Sequence, residues 1–239
     1  GWHYGFTAAG VGMLLGLVSY LWGQKYLAPD LIMKKKESSQ KESKGQEKAL
    51  TPKEWKAVFG LMLLCSLNIV FWSVFEQQGN ALQLFAYDRT DWMVWGFEVP
   101  STWLQSLNPL FIFLFAPLLI RYWNRQGDKQ LSSVAKMAVG CFLLGLSFIP
   151  LIYVTGGLGE EDKIYWLWFV PTMAILTTGE LYLSPIGLSL VTKVAPVKIA
   201  SMMMGMWYLS SFFGNYLSGY IGTYYSTMSV TQFFIMLLI

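Results

Sequence analysis

Seven long apolar runs dominate the chain, near residues 5–23, 57–85, 103–120, 134–154, 164–191, 199–222 and 230–239. The first six reach about 18 residues or more, the length at which an α-helix crosses roughly 30 Å of hydrocarbon. The seventh ends at Ile239 after ten residues, and at about 1.5 Å per residue it covers about half a membrane. Charged residues make up 13% of the chain, against about 25% in a soluble domain. The mean hydropathy is +0.44. These features predict an all-α integral membrane protein that crosses the bilayer several times. They also lead us to expect that the last helix is truncated, that no signal peptide precedes the first run, and that the 239 residues are part of a larger protein.

Charge alternates from one connection to the next. Residues 24–56 hold nine lysines, the 121–136 loop holds Arg121, Arg125, Lys129 and Lys136, and the 192–198 loop holds Lys193 and Lys198. The other connections hold only Arg89 and Lys163 as bases, beside Asp88, Asp91, Glu98, Glu160, Glu161 and Asp162. The positive-inside rule puts the first set in the cytoplasm. The net charge of +3 then calls for no nucleic-acid partner, since the basic residues set topology and meet anionic lipid.

The stretch KKKESSQKESKGQEKALTPK, residues 34–53, is the one low-complexity segment. It predicts a cytoplasmic linker over 29–53. The following helix is expected to start with Thr51 as N-cap, Pro52 at its first position and Glu54 three residues after the cap. Residues 1–28 then read as a helix of one bundle and 54–239 as a second, six-helix bundle. Cys65 and Cys141 are expected to be free, buried thiols, and the single histidine, His3, an interfacial polar residue. No phosphate loop, metal-spaced cluster or Ser/His/Asp set is present, which argues against a membrane-embedded enzyme.

Two carboxylates stand inside spanning runs. Glu180 lies near the middle of WFVPTMAILTTGELYLSPIGLSLVTK, residues 168–193, and Glu76 lies a little outward of the middle of 57–85. A carboxylate at that depth costs about 2.5–3.5 kcal/mol on insertion scales and marks a functional site by default. With no lysine or arginine expected inside a run, each must be protonated, face water or pair with a cation from outside the chain. Other polar groups share that depth. Asn108 precedes Pro109, Trp207 and Ser211 are four apart, and Trp72 lies four before Glu76 on the same helix face. Proline-interrupted helices with polar groups at the midplane are the pattern of a transporter's binding site.

The segments FWSVFEQQGNALQLFA (71–86), SLNPLFIFLFAPL (106–118) and GELYLSPIGLSLVTKVAP (179–196) closely resemble motifs of the proton-dependent oligopeptide transporter family of the major facilitator superfamily. The resemblance covers essentially the whole chain, from the family's sixth helix to the start of its twelfth. It implies two six-helix bundles around a central cavity and import of di- and tripeptides by alternating access, with the proton as coupling ion and no other cofactor. The setting it implies is a plasma membrane, bacterial and inner.

By that resemblance Glu180 meets the peptide's amino terminus and Asn108 helps to hold it. Glu76 exchanges a salt bridge with an arginine of the missing N-terminal bundle, while Trp207, Ser211 and Trp72 supply pocket wall and contact. Two departures stand out. The family's first-helix acid-and-arginine motif has no counterpart here, and residues 31–53 cannot form the two extra helices of many bacterial members. The same fold with another cargo, nitrate or a peptide-like metabolite, is the alternative, and Glu180 would repel a bare anion. A purely structural membrane subunit is disfavoured by the two carboxylates.

The orientation is testable by labelling. In a cysteine-free background, a single cysteine at Ser43 is expected to react only from the cytoplasmic side and one at Glu160 only from outside; the reverse pattern would overturn the topology.

Overall fold

The computed structural model describes residues 2–26, 50–159 and 162–239, with the backbone alone at residues 2 and 3. Much of the linker, Glu160, Glu161 and the His3 side chain lie outside the described residues. The chain divides into two units, Gly1–Ala49 and Leu50–Ile239. The first contains α1 (Trp2–Gly23), followed by a 3-10 turn at Gln24–Tyr26. The second contains α2 (Pro52–Phe75), α3 (Ala81–Asp88), α4 (Leu104–Gln126), α5 (Ser133–Leu146), α6 (Ile149–Thr155), α7 (Phe169–Val194), α8 (Ala200–Gly222) and α9 (Val230–Leu238).

Five helical stretches are long and apolar enough to cross a membrane: Tyr4–Tyr26, Pro52–Asp88, Ser101–Lys129, Ser133–Thr155 and Trp166–Val194. With 23 residues, α8 rises about 34 Å. It carries Ser201, Ser210, Ser211, Asn215 and Ser218 among its apolar residues.

Local chemistry sets the starts and breaks. Thr51 caps α2 as the sequence suggests: its Oγ1 accepts from Glu54 N at 3.3 Å, and its N–H donates to Glu54 Oε2 at 2.8 Å. Ser229 and Gln232 make a second such box at α9. The run 164–191 opens on the extended pair Ile164–Tyr165 and a 3-10 turn before α7, and two other runs break inside. After Phe75 the backbone tightens into a 3-10 turn, Glu76–Gly79, and Asn80 leaves helical space with φ −117° and ψ −107°. The run 134–154 breaks between α5 and α6, where Pro150 removes a backbone donor. Pro109, Pro117 and Pro185, by contrast, lie inside helices that remain continuous. In hydrocarbon-facing helices, neighbouring groups and small adjustments tolerate proline.

On the side away from the basic loops, short strands tie the connections together. β1 (Thr90–Asp91) pairs in parallel with β4 (Ile164–Tyr165), and β2 (Met93–Val94) pairs antiparallel with β3 (Phe97–Glu98). The β2–β3 turn needs Trp95 at φ +49° and Gly96 at φ +86°. Arg89 donates to the carbonyls of Asp162 at 3.1 Å and Gly159 at 2.6 Å, closing that end.

Small residues bring the helices together. Lipid tails are as apolar as leucine, so helices associate by close packing and interhelical hydrogen bonds rather than by the hydrophobic effect. Along α8 the residues Ser210, Gly214, Ser218 and Gly222 repeat every four and face α2 and its extension. Asn68 Nδ2 donates to Ser210 Oγ at 2.8 Å. A Cβ on Gly214 would collide with Trp72 Cβ and the Ile69 carbonyl, and one on Gly222 with the Asn80 amide. On the other pair, α5 and α7 cross where Gly140 and Gly179 face each other. A Cβ on either would lie 2.8 Å from the other's carbonyl oxygen.

Two expectations need correction. Four basic residues read as loop lie in helices: Arg121 and Arg125 near the end of α4, Lys193 in the last turn of α7, and Lys136, which lies in the first turn of α5, buried to 9% exposure, so a spanning stretch does contain a buried lysine. Lys136 donates to Gln130 Oε1 at 2.9 Å and sits 4.3 Å over the Trp123 ring. Those contacts, at the basic end of the helix, are what make an internal cation tolerable there. Cys65 is buried as expected, but Cys141 is exposed on the surface of this unit, because it follows Gly140, which faces α7 and turns its neighbour outward.

The glycine crossing gives a stability test. Gly140→Leu or Gly179→Leu is expected to force α5 and α7 apart and to cost about 1–3 kcal/mol or more, read as a lower unfolding midpoint in detergent. Gly60→Ala, where the added Cβ meets nothing within 4 Å, should leave the midpoint unchanged or raise it.

Candidate functional site

Three elements bring the site together. α7 carries Glu180 next to Gly179, the residue that lets α5 approach. α4 carries Asn108 one residue before Pro109. The 3-10 turn after α2 carries Glu76 and Gln78. Glu180 and Asn108, 72 positions apart in sequence, meet directly: Asn108 Nδ2 donates to Glu180 Oε2 at 3.1 Å. The same nitrogen also donates to Gln78 Oε1 at 3.4 Å.

An amide nitrogen carries two hydrogens, so Asn108 can hold Glu180 and Gln78 at once while its own oxygen stays available as an acceptor. Glu76 stands on the same 3-10 turn as Gln78, two residues before it. All four side chains are half-buried. They form a cluster of oxygen acceptors, two of them carboxylates, within a helical bundle. Such a cluster suits a ligand that brings N–H donors and positive charge, because unpaired carboxylates at this depth are costly.

The remaining sequence-derived residues take different places. Trp72 is half-buried, with its ring edge-on to Phe71 at 5.8 Å and Phe75 at 5.2 Å. Trp207 is buried to 4% exposure, and its ring lies against Gly187, where a Cβ would collide with it. It therefore packs between α8 and α7. Ser211 is half-buried on α8. Its neighbour Ser210 makes the interhelical bond instead, accepting from Asn68 and donating to the Trp207 carbonyl at 2.6 Å.

Sequence reasoning passed over Asn68, Gln77, Gln78, Ser210 and Ser218. The available signals were polar amides inside an apolar run and the four-residue spacing of small residues on α8. Nothing in spacing alone says which of two adjacent glutamines faces the site. The groups found here include no metal-ligand cluster of three or more His, Cys, Asp or Glu among the described residues.

Comparison with known proteins places this arrangement. The model of the POT family matches residues 25–236. The chain belongs to the POT family. It is 39% identical over 173 residues to the peptide transporter YePEPT of Yersinia enterocolitica, covering 67% of this chain and 33% of that protein. It is 36% identical over 172 residues to a di-/tripeptide transporter of Lactococcus lactis subsp. cremoris, covering 70% and 34%. The chain thus spans about a third of the length of these relatives.

Among solved structures it is similar to a peptide transporter POT in complex with alafosfalin, with a TM-score of 0.75 and 27% identity, covering 99% of this chain and 57% of that one. It is also similar to a POT family transporter in complex with a thioalcohol-conjugated peptide, with a TM-score of 0.73 and 29% identity, covering 98% and 50%. The fold is accordingly the helical membrane bundle of these transporters, and POT proteins are multi-pass membrane transporters rather than enzymes.

Proposed function

We propose that the protein containing this chain imports di- and tripeptides by alternating access, driven by an inward proton gradient across a bacterial inner membrane. The observation that carries the reading is the bond from Asn108 to Glu180, with Gln78 on the same amide nitrogen and Glu76 on the turn that carries Gln78. In this reading residues 54–239 are the C-terminal bundle, 1–28 the last helix of the N-terminal bundle, and 29–53 the cytoplasmic linker. The N-terminal bundle supplies the cations that Glu76 and Glu180 meet.

Glu180 and the free oxygen of Asn108 receive the peptide's ammonium group. Side chains pack on the aromatic wall to which Trp72 belongs, with Ser211 and Trp207 contributing from α8. Glu76 carries the coupling, exchanging its cationic partner as its protonation changes. The proton is the coupling ion and no other cofactor is invoked. Peptide termini and backbone supply most of the affinity, which is why such a pocket accepts many side chains. A bare anion such as nitrate fits poorly, since two carboxylates face it.

Uptake of labelled dialanine into proteoliposomes holding the full-length protein tests the reading directly. Accumulation is expected with an inward proton gradient and not without it. Glu76→Gln should abolish gradient-driven accumulation while retaining some counterflow of peptide; wild-type accumulation in that variant would overturn the coupling role.

Glu180→Gln separates receptor from packing. A carboxyl that only packs is matched by glutamine in size and hydrogen bonding, so transport would stay near normal. A receptor loses about 2–5 kcal/mol of affinity, the scale of breaking a buried charge pair. N-acetylation of the dipeptide should weaken binding strongly in the wild type and little further in Glu180→Gln. The same large preference in both proteins would remove Glu180 from the ammonium site.

A further inference from the structure

We propose that Gln77 is a positioning residue. It locks the 3-10 turn after α2 to Ser218 of α8, and so fixes the directions in which Glu76 and Gln78 project toward Glu180 and Asn108. The inference rests on the transport reading given above for that cluster.

The geometry begins with the break in the helix. Beyond Phe75 the α-helical ladder gives way to the turn Glu76–Gly79, and Asn80 departs from helical angles. A 3-10 turn has about three residues per turn, so residues 76, 77 and 78 point in three directions about 120° apart. Fixing one of them fixes the other two. Gln77 is the one that is fixed: it is wholly buried, at 0% exposure. Its Nε2 lies 2.9 Å from the Ser218 carbonyl oxygen, 3.0 Å from Ser218 Oγ and 3.2 Å from the Ser73 carbonyl oxygen. Asn80 Nδ2 reaches the same Ser218 carbonyl at 3.4 Å. Two amides, one on the turn and one at its end, thus converge on a single residue of α8. Glu76 and Gln78, on the two remaining directions, are half-buried, and Gln78 Oε1 accepts from Asn108.

Nothing else in the last turn of α2 can set that rotation. Ser73 donates to its own helix, at the Val70 carbonyl. The next hydrogen bond to α8 is from Asn68 to Ser210, more than two turns back. The small residues of α8 let the helices approach, and an apolar side chain at 77 would pack there as well. Close packing of small residues tolerates a slide or a twist; a hydrogen bond to one carbonyl does not. Buried polar groups that specify register at some cost in stability are known from helical assemblies. A twist of one position at this turn would carry Glu76 into the seam where Gln77 now lies and take Gln78 away from Asn108.

The test uses the full-length protein in proteoliposomes with labelled dialanine. Gln77→Leu, which keeps the volume and removes the donor, is expected to leave the unfolding midpoint unchanged or higher while KM for dialanine rises about tenfold, the size of one or two lost hydrogen bonds. Ser218→Ala keeps the carbonyl acceptor and removes only the hydroxyl, so its rise in KM should be smaller. The double variant Gln77→Leu/Ser218→Ala should match Gln77→Leu alone. Because Gln77 acts through Gln78 and Asn108, the KM effects of Gln77→Leu and Asn108→Ala should be strongly non-additive, which a general loss of stability would not produce. A wild-type KM in Gln77→Leu, or full additivity with Asn108→Ala, overturns the proposal. If Gln77→Leu does not fold, Gln77→Met, which also lacks the donor, decides: a raised KM at an unchanged midpoint supports the lock, and a wild-type KM overturns it. Glu180→Gln in the same assay keeps the two ideas apart. Normal transport there removes the site reading itself, while lost affinity there beside a normal Gln77→Leu removes only the positioning role.

Discussion

A bilayer interior offers no water to a stranded polar group, so each one placed there must find its partner within the protein. Asn108 answers that demand at the centre of this bundle. One neutral side chain, with two hydrogens on one nitrogen, holds a carboxylate on α7 at 3.1 Å and an amide on the turn after α2 at 3.4 Å. A lysine in its place would bring a full charge and a longer, more mobile stem. An alanine would leave Glu180 without this donor. The rest of the unit can be read as what is needed to keep three helical elements within reach of that one nitrogen.

Glycine and serine do most of that work. α2 closes on α8 over Ser210, Gly214, Ser218 and Gly222, and α5 closes on α7 over the facing pair Gly140 and Gly179. These two seams give two closely packed helix pairs. The first presents Glu76 and Gln78; the second presents Glu180. Asn108, on α4, belongs to neither pair and bridges the two. A change in the angle between the pairs would therefore be felt first at the Asn108 bonds, which makes the site a natural reporter of bundle geometry. Gly179 shows the dependence most directly, since the residue that permits the close crossing is the immediate neighbour of the carboxylate.

How much of this is legible in the sequence follows from how local each signal is. The runs, the Thr51–Glu54 box and the exceptional character of Glu180 and Glu76 can be read from the chain because each is a matter of composition or of residues three or four apart. The meeting of Asn108 with Glu180 is not local, and it enters only through resemblance to a family. The break at Glu76–Asn80 is invisible to hydropathy, since EQQGN interrupts a run without lowering it enough to end it. Ser147 and Phe148, between α5 and α6, escape for the same reason, Pro150 being the one local hint. Trp207 is legible only in part: a tryptophan at mid-helix reads as pocket wall, and the sequence does not show that its ring also fills the space that Gly187 leaves on α7. Lys136 reads as loop because charge suggests an end, although Trp123 and Gln130 give it a buried place within the helix.

The sign of the site follows from the same inventory. Glu76 stands on the turn whose Gln78 meets Asn108, and two carboxylates on one side of a site favour a ligand that brings positive charge. The oxygens of Asn108 and Gln78 are acceptors as well. Pro109 and Pro185 lie inside α4 and α7, and each lacks the N–H that would bond the carbonyl four residues before it, at Gln105 and Leu181. Those carbonyls, one about a turn before Asn108 and the other on the residue that follows Glu180, add partial negative charge to the same neighbourhood. In the reading proposed above, the groups on this side favour a cationic donor. A zwitterionic ligand held here by its ammonium must find the partner for its carboxylate on another surface, so one molecule would be gripped at its two ends by different parts of the protein. Binding and relative movement of those parts are then coupled by the ligand's own length and charge.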